Sequence, residues 1–338
     1  MKKQTPKIRI AINGFGRIGR AAFKIILERP DMEVVAINDL TDNQTLAHLL
    51  RYDSVYGIYN KNVTADEKNI IVDGKKIPCL AIKDPKELPW KKYNVDVVLE
   101  CTGKFVKDGA AKAHLDTGAK KVILSAPAKG KPEAPTYLMG VNHLKYKGEP
   151  IISNASCTTN CIAPVTKIID EVFGIKRAFL NTVHSYTADQ NFVDGLHKDL
   201  RRARSAAANI VPTTTGAAIS VTKILPKLNG KFDGVSLRVP TICGSISDLT
   251  FLIRRKATVR EINSALSKAS RSKELKRILT VSNDPLVSSD VIGNPASAIV
   301  DLQSTMVIGG DYVKVLVWYD NEWGYAERLV DMINIVVK

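Results

Sequence analysis

The chain has 338 residues, 45% hydrophobic and 25% charged, which suits a globular protein with room for two ordinary domains and a substantial core. No apolar run reaches membrane-spanning length, and the basic start Met1-Lys2-Lys3-Gln4-Thr5-Pro6-Lys7 lacks the apolar region and cleavage site of a signal peptide. A net charge of +15 attracts anions in general and does not choose among nucleic acid, phosphorylated metabolites and dinucleotides. The densest basic cluster, Lys198, Arg201, Arg202 and Arg204, has no interleaved aromatics to stack bases. The five cysteines form no C-x-x-C pair and, with five scattered histidines, argue against a structural metal site and for a reducing, cytoplasmic compartment.

In chain order, Ile8 to Ile12 predicts a strand, and Ile18, Ala21, Ala22, Ile25 and Ile26 mark one face of a helix. Glu33 to Asn38 predicts a second strand. Val95 to Leu99 and Lys121 to Leu124 predict two more, flanking a helix from about Asp108 to Thr117. Apolar strands alternating with helices point to a parallel sheet covered on both faces. The texture changes after Cys157. β-like runs at Lys176 to Val183, Val235 to Val239, Ile246 to Ile253, Ala298 to Val300 and Val313 to Trp318 are interrupted by helices near Gly216 to Leu225 and Thr258 to Ala269. Strands in succession predict a mixed or antiparallel sheet backed by helices. Residues 185 to 213 form a long polar, basic stretch of weak periodicity, a length that usually signals function or an interface. Tyr325 to Val337 predicts a terminal helix that returns to the first domain. The expected fold is α/β: a Rossmann-type domain over residues 1–156, completed by 322–338, and an α+β catalytic domain over 157–321.

Gly14-Phe15-Gly16-Arg17-Ile18-Gly19 follows the first predicted strand and opens the first helix. Glycines at these places permit a tight turn, close approach of backbone to a pyrophosphate, and close helix–strand packing. Asp39 follows Gly19 by twenty residues and ends the second strand, where its carboxylate would accept ribose hydroxyls and repel a 2′-phosphate. The fingerprint therefore predicts a dinucleotide, with NAD ahead of NADP.

A second feature is Ser153 to Cys161, Ser-Asn-Ala-Ser-Cys-Thr-Thr-Asn-Cys, set between the apolar pair Ile151-Ile152 and the apolar positions Ile162, Val165, Ile168 and Ile169. It reads as strand, tight turn and a helix starting at or near Cys157. A helix N-terminus favours thiolate over thiol. Cysteine alone is more often a small buried hydrophobe. A thiolate working with a dinucleotide suggests aldehyde oxidation through a covalent intermediate, which needs a base and, for a phosphorylated substrate, anion sites. His184, ending the strand Phe179 to Val183, is the candidate base; Thr158, Thr187, the Thr213-Thr214-Thr215-Gly216 run and Arg238 are candidate anion ligands. Cys161, one helical turn beyond Cys157, reads as a packed residue or redox liability.

Seven segments occur in order: Ala11 to Arg20 (Ala-Ile-Asn-Gly-Phe-Gly-Arg-Ile-Gly-Arg), Glu100-Cys101-Thr102-Gly103, Ser153 to Cys161, His184-Ser185-Tyr186-Thr187, His197 to Arg204 (His-Lys-Asp-Leu-Arg-Arg-Ala-Arg), Pro212 to Ala218 (Pro-Thr-Thr-Thr-Gly-Ala-Ala) and Trp318 to Tyr325 (Trp-Tyr-Asp-Asn-Glu-Trp-Gly-Tyr). Together they resemble the phosphorylating glyceraldehyde-3-phosphate dehydrogenases over nearly the whole chain. The resemblance implies NAD as coenzyme and glyceraldehyde 3-phosphate and inorganic phosphate as substrates, with Cys157 as nucleophile and His184 as base. It implies that Ser156, Thr158, Thr215 and Gly216 hold the attacking phosphate, and that Thr187, Arg202 and Arg238 hold the substrate phosphate. On the coenzyme side it implies Asn13, Gly14, Gly16, Arg17, Ile18, Gly19, Asp39, Thr102, Gly103, Ser125 and Asn321, and it implies a homotetramer whose intersubunit surface includes the 185-to-209 loop.

Three departures stand out. Ile242-Cys243-Gly244-Ser245 replaces a common Pro-Asn-Val-Ser, Ile219 replaces a common lysine, and Asp194-Gly195-Leu196-His197 replaces a Leu-Pro pair, so that smaller Gly195 leaves NADP open as a secondary coenzyme. Erythrose-4-phosphate dehydrogenase shares the thiolate and fold and is the nearest rival reading. A basic RNA-binding protein is the rival from another class, with no recognition motif or stacking aromatics behind it.

Overall fold

A computed structural model describes residues 6–338; the Met1–Thr5 part of the basic start lies outside the described residues. The chain forms two compact units. The first comprises residues up to Leu138, Asn142–Ala155 and Ala326–Lys338; the second comprises Met139–Val141 and Ser156–Tyr325.

The first unit contains β1 (Ile8–Asn13), α1 (Arg17–Leu27), β2 (Met32–Asn38), α2 (Asn43–Arg51), β3 (Tyr52–Asp53), β4 (Gly57–Ile58), β5 (Val63–Ala65), β6 (Asn69–Val72), β7 (Lys75–Leu80), β8 (Val97–Glu100), α3 (Lys112–Asp116), β9 (Lys121–Leu124) and β10 (Ile151–Ser153). Its main sheet runs β10-β9-β8-β1-β2-β7-β6-β5. Every pair from β10 to β7 is parallel, and the β7-β6-β5 edge is antiparallel. β8 is buried at all four positions and β1 at its last four, as strands covered on both faces must be. Strand order departs in opposite directions from β1, to β2 on one side and β8 on the other. A doubly wound sheet opens its ligand crevice at such a switch point.

The second unit contains α4 (Cys157–Phe173), β11 (Ile175–Ser185), β12 (Val211–Thr214), α5 (Ala217–Ile224), β13 (Phe232–Val239), β14 (Ser245–Ile253), α6 (Val259–Ser270), β15 (Leu279–Ser282), β16 (Ala298–Ile308) and β17 (Tyr312–Tyr319). The sheet order is β12-β13-β11-β14-β17-β16-β15, with only β11–β13 and β15–β16 parallel. β14 alternates buried and half-buried residues along its whole length, the pattern of a sheet with one face on the core. The last helix, α7 (Trp323–Val336), starts at the end of the second unit and continues into the first. The parallel sheet before Cys157 and the mixed sheet after it are those expected from the sequence.

Some boundaries differ from expectation. The helix expected from Asp108 to Thr117 is only α3, because Asp108 (φ 52°) and Gly109 (φ 72°) are left-handed and a right-handed helix cannot run through them. The polar stretch from 185 to 213 runs at its end into β12 (Val211–Thr214), which pairs antiparallel with β13.

Two of the fingerprint glycines, Gly14 and Gly19, are sterically required. A Cβ on Gly14 (φ 93°) would lie 2.8 Å from the Thr102 amide nitrogen, and one on Gly19 would lie 2.1 Å from the Gly14 carbonyl oxygen. Gly19→Ala forces α1 away from the β1 turn. Urea unfolding of this variant should show a loss of about 1–3 kcal/mol, the usual cost of overpacking; an unchanged midpoint would contradict the close approach.

Candidate active site

In the first unit, the ends of β1, β2 and β8 and the segment after β7 enclose an open cleft of about 840 Å³. Of the residues expected there, Asn13, Gly14, Gly16, Asp39 and Thr102 line it. Arg17 and Ile18 open α1 directly after Gly16, and the Arg17 guanidinium is held by Asp53 at 2.7 Å. Gly103 sits between the lining residues Thr102 and Lys104 at φ 68°. Ser125 follows β9, where its N–H donates to the Glu100 carbonyl at 3.0 Å. The Asp39 carboxylate accepts the Phe15 N–H at 2.7 Å and the Thr41 N–H at 3.0 Å. Those bonds hold the carboxylate in place at the rim of the cleft.

In the second unit, Ser156 caps α4: its Oγ accepts the Thr159 N–H at 3.1 Å. Cys157 is therefore the first helical residue, among the N–H groups the helix leaves unpaired. Its Sγ lies 3.4 Å from His184 Nε2 at the end of β11. His184 Nδ1 is 2.7 Å from the Ser185 carbonyl, which can only accept, so Nδ1 carries the proton and the Nε2 lone pair faces sulfur.

Arg238 of β13 stands in register with His184. Its Nη1 donates to Thr187 Oγ1 at 3.1 Å and to the Ser185 carbonyl at 3.3 Å, while its Nε is buried without a partner. Burial pushes the Cys157 thiol up and the His184 imidazole down to about 3. Arg238 is the next influence on both: it draws the thiol toward thiolate and holds the imidazole neutral. The outcome is a neutral imidazole whose lone pair faces a thiol that burial keeps protonated against the pull of Arg238.

The remaining anion candidates fall into two groups. Arg202 Nε donates to Thr213 Oγ1 at 2.9 Å and its Nη1 pairs with Asp189; Arg202 and Asp189 both act electrostatically on Arg238, so Thr187, Arg202 and Arg238 share one neighbourhood. Gly216 is the residue before α5, and the Thr215 hydroxyl accepts the Ala217 N–H at 3.2 Å. Thr158 is turned inward, with its hydroxyl 2.9 Å from the Tyr319 phenol.

Tyr319 escapes a reading of the sequence. Its phenol also meets Thr182 Oγ1 at 2.9 Å, and its ring stacks edge-on against His184 with centroids 5.9 Å apart. Burial holds its pKa well above the ordinary value, so it stays a protonated brace between α4 and β11. Position two in Trp-Tyr-Asp-Asn-Glu-Trp-Gly-Tyr was the only signal available. Asn321 Oδ1 accepts from Ser185 Oγ (3.0 Å), the Gly244 N–H (3.1 Å) and Ser245 Oγ (2.9 Å), which fixes the amide so that its NH₂ is the end left to donate. Cys161 is buried, and burial pushes its thiol up as well, so it is an inert core residue.

A dinucleotide crevice and a thiol paired with an imidazole, carried by one chain, define an NAD-dependent oxidoreductase. Residues 8–108 match the glyceraldehyde 3-phosphate dehydrogenase NAD binding domain, and residues 156–321 match the C-terminal domain of the same family. The chain is 54% identical over 327 residues to glyceraldehyde-3-phosphate dehydrogenase of Geobacillus stearothermophilus, covering 96% of this chain and 97% of that one. It is 52% identical over 332 residues to the Streptomyces coelicolor enzyme (97% and 98% covered) and 52% identical over 338 residues to that of Borreliella burgdorferi (98% and 100%). The chain belongs to the glyceraldehyde-3-phosphate dehydrogenase family, with NAD as coenzyme and glyceraldehyde 3-phosphate and phosphate as substrates. Neither rival, the erythrose-4-phosphate enzyme or an RNA-binding protein, is favoured.

The His184 shift has a consequence for stability. Its folded pKa lies below the unfolded value, so the unfolded chain binds the extra proton and stability falls as pH drops below about 6.5. This group alone should cost about 2 kcal/mol by pH 5. Urea midpoints measured from pH 7 to pH 5 should therefore fall less for His184→Asn than for the native chain. Parallel curves would mean that the buried imidazole is protonated in the folded state.

Proposed function

We propose that Cys157 is the nucleophile and His184 the general base of a phosphorylating oxidation of glyceraldehyde 3-phosphate. The single observation behind this reading is the 3.4 Å thiol–imidazole contact with Nδ1 pinned to a carbonyl. Nε2 takes the thiol proton as sulfur bonds to the aldehyde carbon, and returning that proton to the former carbonyl oxygen completes a hemithioacetal. His184 then removes the hydroxyl proton as hydride leaves the same carbon, which leaves a thioester on Cys157. When bound, NAD accepts that hydride at its nicotinamide ring. The unpaired Cys157 N–H and the imidazole steady the developing oxyanion. A phosphate oxygen attacks the thioester carbon, the C–S bond breaks, and 1,3-bisphosphoglycerate departs with Cys157 restored.

The substrate phosphate is assigned to Thr187, Arg202 and Arg238, and the attacking phosphate to Ser156, Thr158, Thr215 and Gly216. The unpartnered, buried Nε of Arg238 supports the first assignment, because a buried guanidinium donor without an acceptor calls for an anion. Coenzyme binding is assigned to Asn13, Gly14, Gly16, Arg17, Ile18, Gly19, Asp39, Thr102, Gly103, Ser125 and Asn321. The division of labour follows residues 1–156 with 322–338 for coenzyme and 157–321 for catalysis.

A homotetramer is the proposed assembly. Register places Phe179, Val235, Tyr312, Met306 and Ile308 on one face of the second sheet, and all five side chains are exposed. Ile219 lines a groove beside Phe179, and Leu196 in the long loop is fully exposed. Apolar surface of this extent calls for a covering partner. The free cysteines support a cytoplasmic location, and among the described residues no helix is long and apolar enough to cross a membrane.

NADH formation from glyceraldehyde 3-phosphate tests the reading. Sustained turnover should need inorganic phosphate, with only a burst in its absence, and Cys157→Ser should lower kcat at least about a thousandfold. NAD should exceed NADP in kcat/KM, and any NADP use should be secondary. Turnover retained in Cys157→Ser would sink the proposal.

A further inference from the structure

Glu100, at the end of β8, is fully buried and receives bonds from three other parts of the first unit. Its Oε1 accepts the Thr102 N–H at 2.8 Å and the Thr102 hydroxyl. Its Oε2 accepts Asn13 Nδ2 at 2.6 Å and lies 3.0 Å from His114 Nε2. Behind it, Trp90 Nε1 lies 3.0 Å from His114 Nδ1, and Trp90 and His114 are both completely buried. An indole N–H can only donate, so His114 Nδ1 is the acceptor and the ring's remaining proton sits on Nε2, pointing at Glu100. In the other direction Asn13 Oδ1 accepts Asn38 Nδ2 at 2.8 Å, and the Asn38 amide makes 2.9 Å bonds with both the N–H and the carbonyl of Ile82.

Glu100 itself does not line the cleft, but Asn13 and Thr102, bonded to it directly, and Asn38 and Ile82, linked to it through Asn13, all do. We infer that Glu100, oriented by His114 and Trp90, is a positioning residue that presets the floor of the coenzyme cleft by fixing Asn13 and Thr102. An isolated buried carboxylate is costly, yet here every acceptor direction is filled by a donor, so the group is held in one geometry. A neutral side chain of the same shape fills the space but offers an NH₂ where an acceptor is needed, and turns Asn13 or Thr102 away. The inference rests on the assignment of this cleft to NAD.

Three variants of the full-length enzyme separate the outcomes. Gly16→Val tests the cleft assignment, because a Cβ at Gly16 meets no protein atom within 4 Å and the residue lines the cleft. Loss of calorimetric NAD binding in this variant supports the assignment, and unaltered binding would overturn it. Glu100→Gln should raise the Kd and KM for NAD about tenfold, with kcat at saturating NAD within about twofold and the KM for glyceraldehyde 3-phosphate unchanged. Trp90→Phe removes the distant indole donor together with part of a buried ring and should raise the NAD Kd about threefold, which keeps the inference open to test if Glu100→Gln fails to fold. A Glu100→Gln or Trp90→Phe enzyme with lowered thermal stability but an NAD Kd within about twofold of native would mean that the network is only structural.

Discussion

The carbonyl of Ser185 carries two donors, the His184 Nδ1–H at 2.7 Å and the Arg238 Nη1–H at 3.3 Å, and the geometry of the second unit's chemistry depends on it. One bond sets the tautomer of the base; the other holds beside it the cation that favours thiolate. The same residue donates its hydroxyl to Asn321 Oδ1 and its N–H to Ser245 Oγ at 3.1 Å. His184, Arg238 and Asn321 are thus tied to one buried residue at the last position of β11. No movement of that strand end could displace one of them alone. The thiol is delivered independently, by the Ser156 cap that starts α4, and Ala155 just before it is held at φ 54°, a conformation that costs a non-glycine residue about 1–2 kcal/mol.

Both units solve the same problem, the placement of polar groups in a dry interior. A buried donor or acceptor without a partner costs about 1–3 kcal/mol, so networks are favoured only when they are complete. Around Glu100 every acceptor direction is filled, and around Asn321 the Oδ1 side is, with the NH₂ left to donate. At Arg238 the network is incomplete by one Nε donor, in the place where an anion would finish it.

Local pattern made much of this readable. The fingerprint glycines, Asp39, the start of α4 at Cys157 and the alternation of β14 and β17 depend on neighbours in sequence, and turn, cap and period rules act at that range. Partnerships across the chain were not readable in this way. Tyr319 reaches Thr158 from 161 residues away, and Glu100 meets Asn13 across 87 residues. Nothing in Lys112–Asp116 reveals that Trp90 and Glu100 bracket the His114 ring. Residue 108 shows the limit from the other side. An aspartate continues a helical pattern plausibly, and only the fold places it in the left-handed region and shortens the helix.

The same separation of local from distant explains why the Ile242-Cys243-Gly244 departure leaves the site whole. Arg238 is held by a parallel ladder to β11 and an antiparallel one to β12, both of which end at or before Val239. The changed residues lie beyond that point, in the turn into β14. There Gly244 adopts φ 85° with its Cα against Ser288, where a Cβ would fall 2.2 Å from a carbonyl oxygen, so a side chain at this position would require a different turn. Its N–H supplies one of the bonds to Asn321, and Cys243 Sγ lies 3.3 Å from Asp320 Oδ1, which also accepts the N–H groups of Glu322 and Trp323 at the start of α7. The substitution therefore acts through the turn on the orientation of Asn321. Asn321 is the amide proposed to bind the coenzyme, while Arg238, proposed to bind phosphate, is untouched.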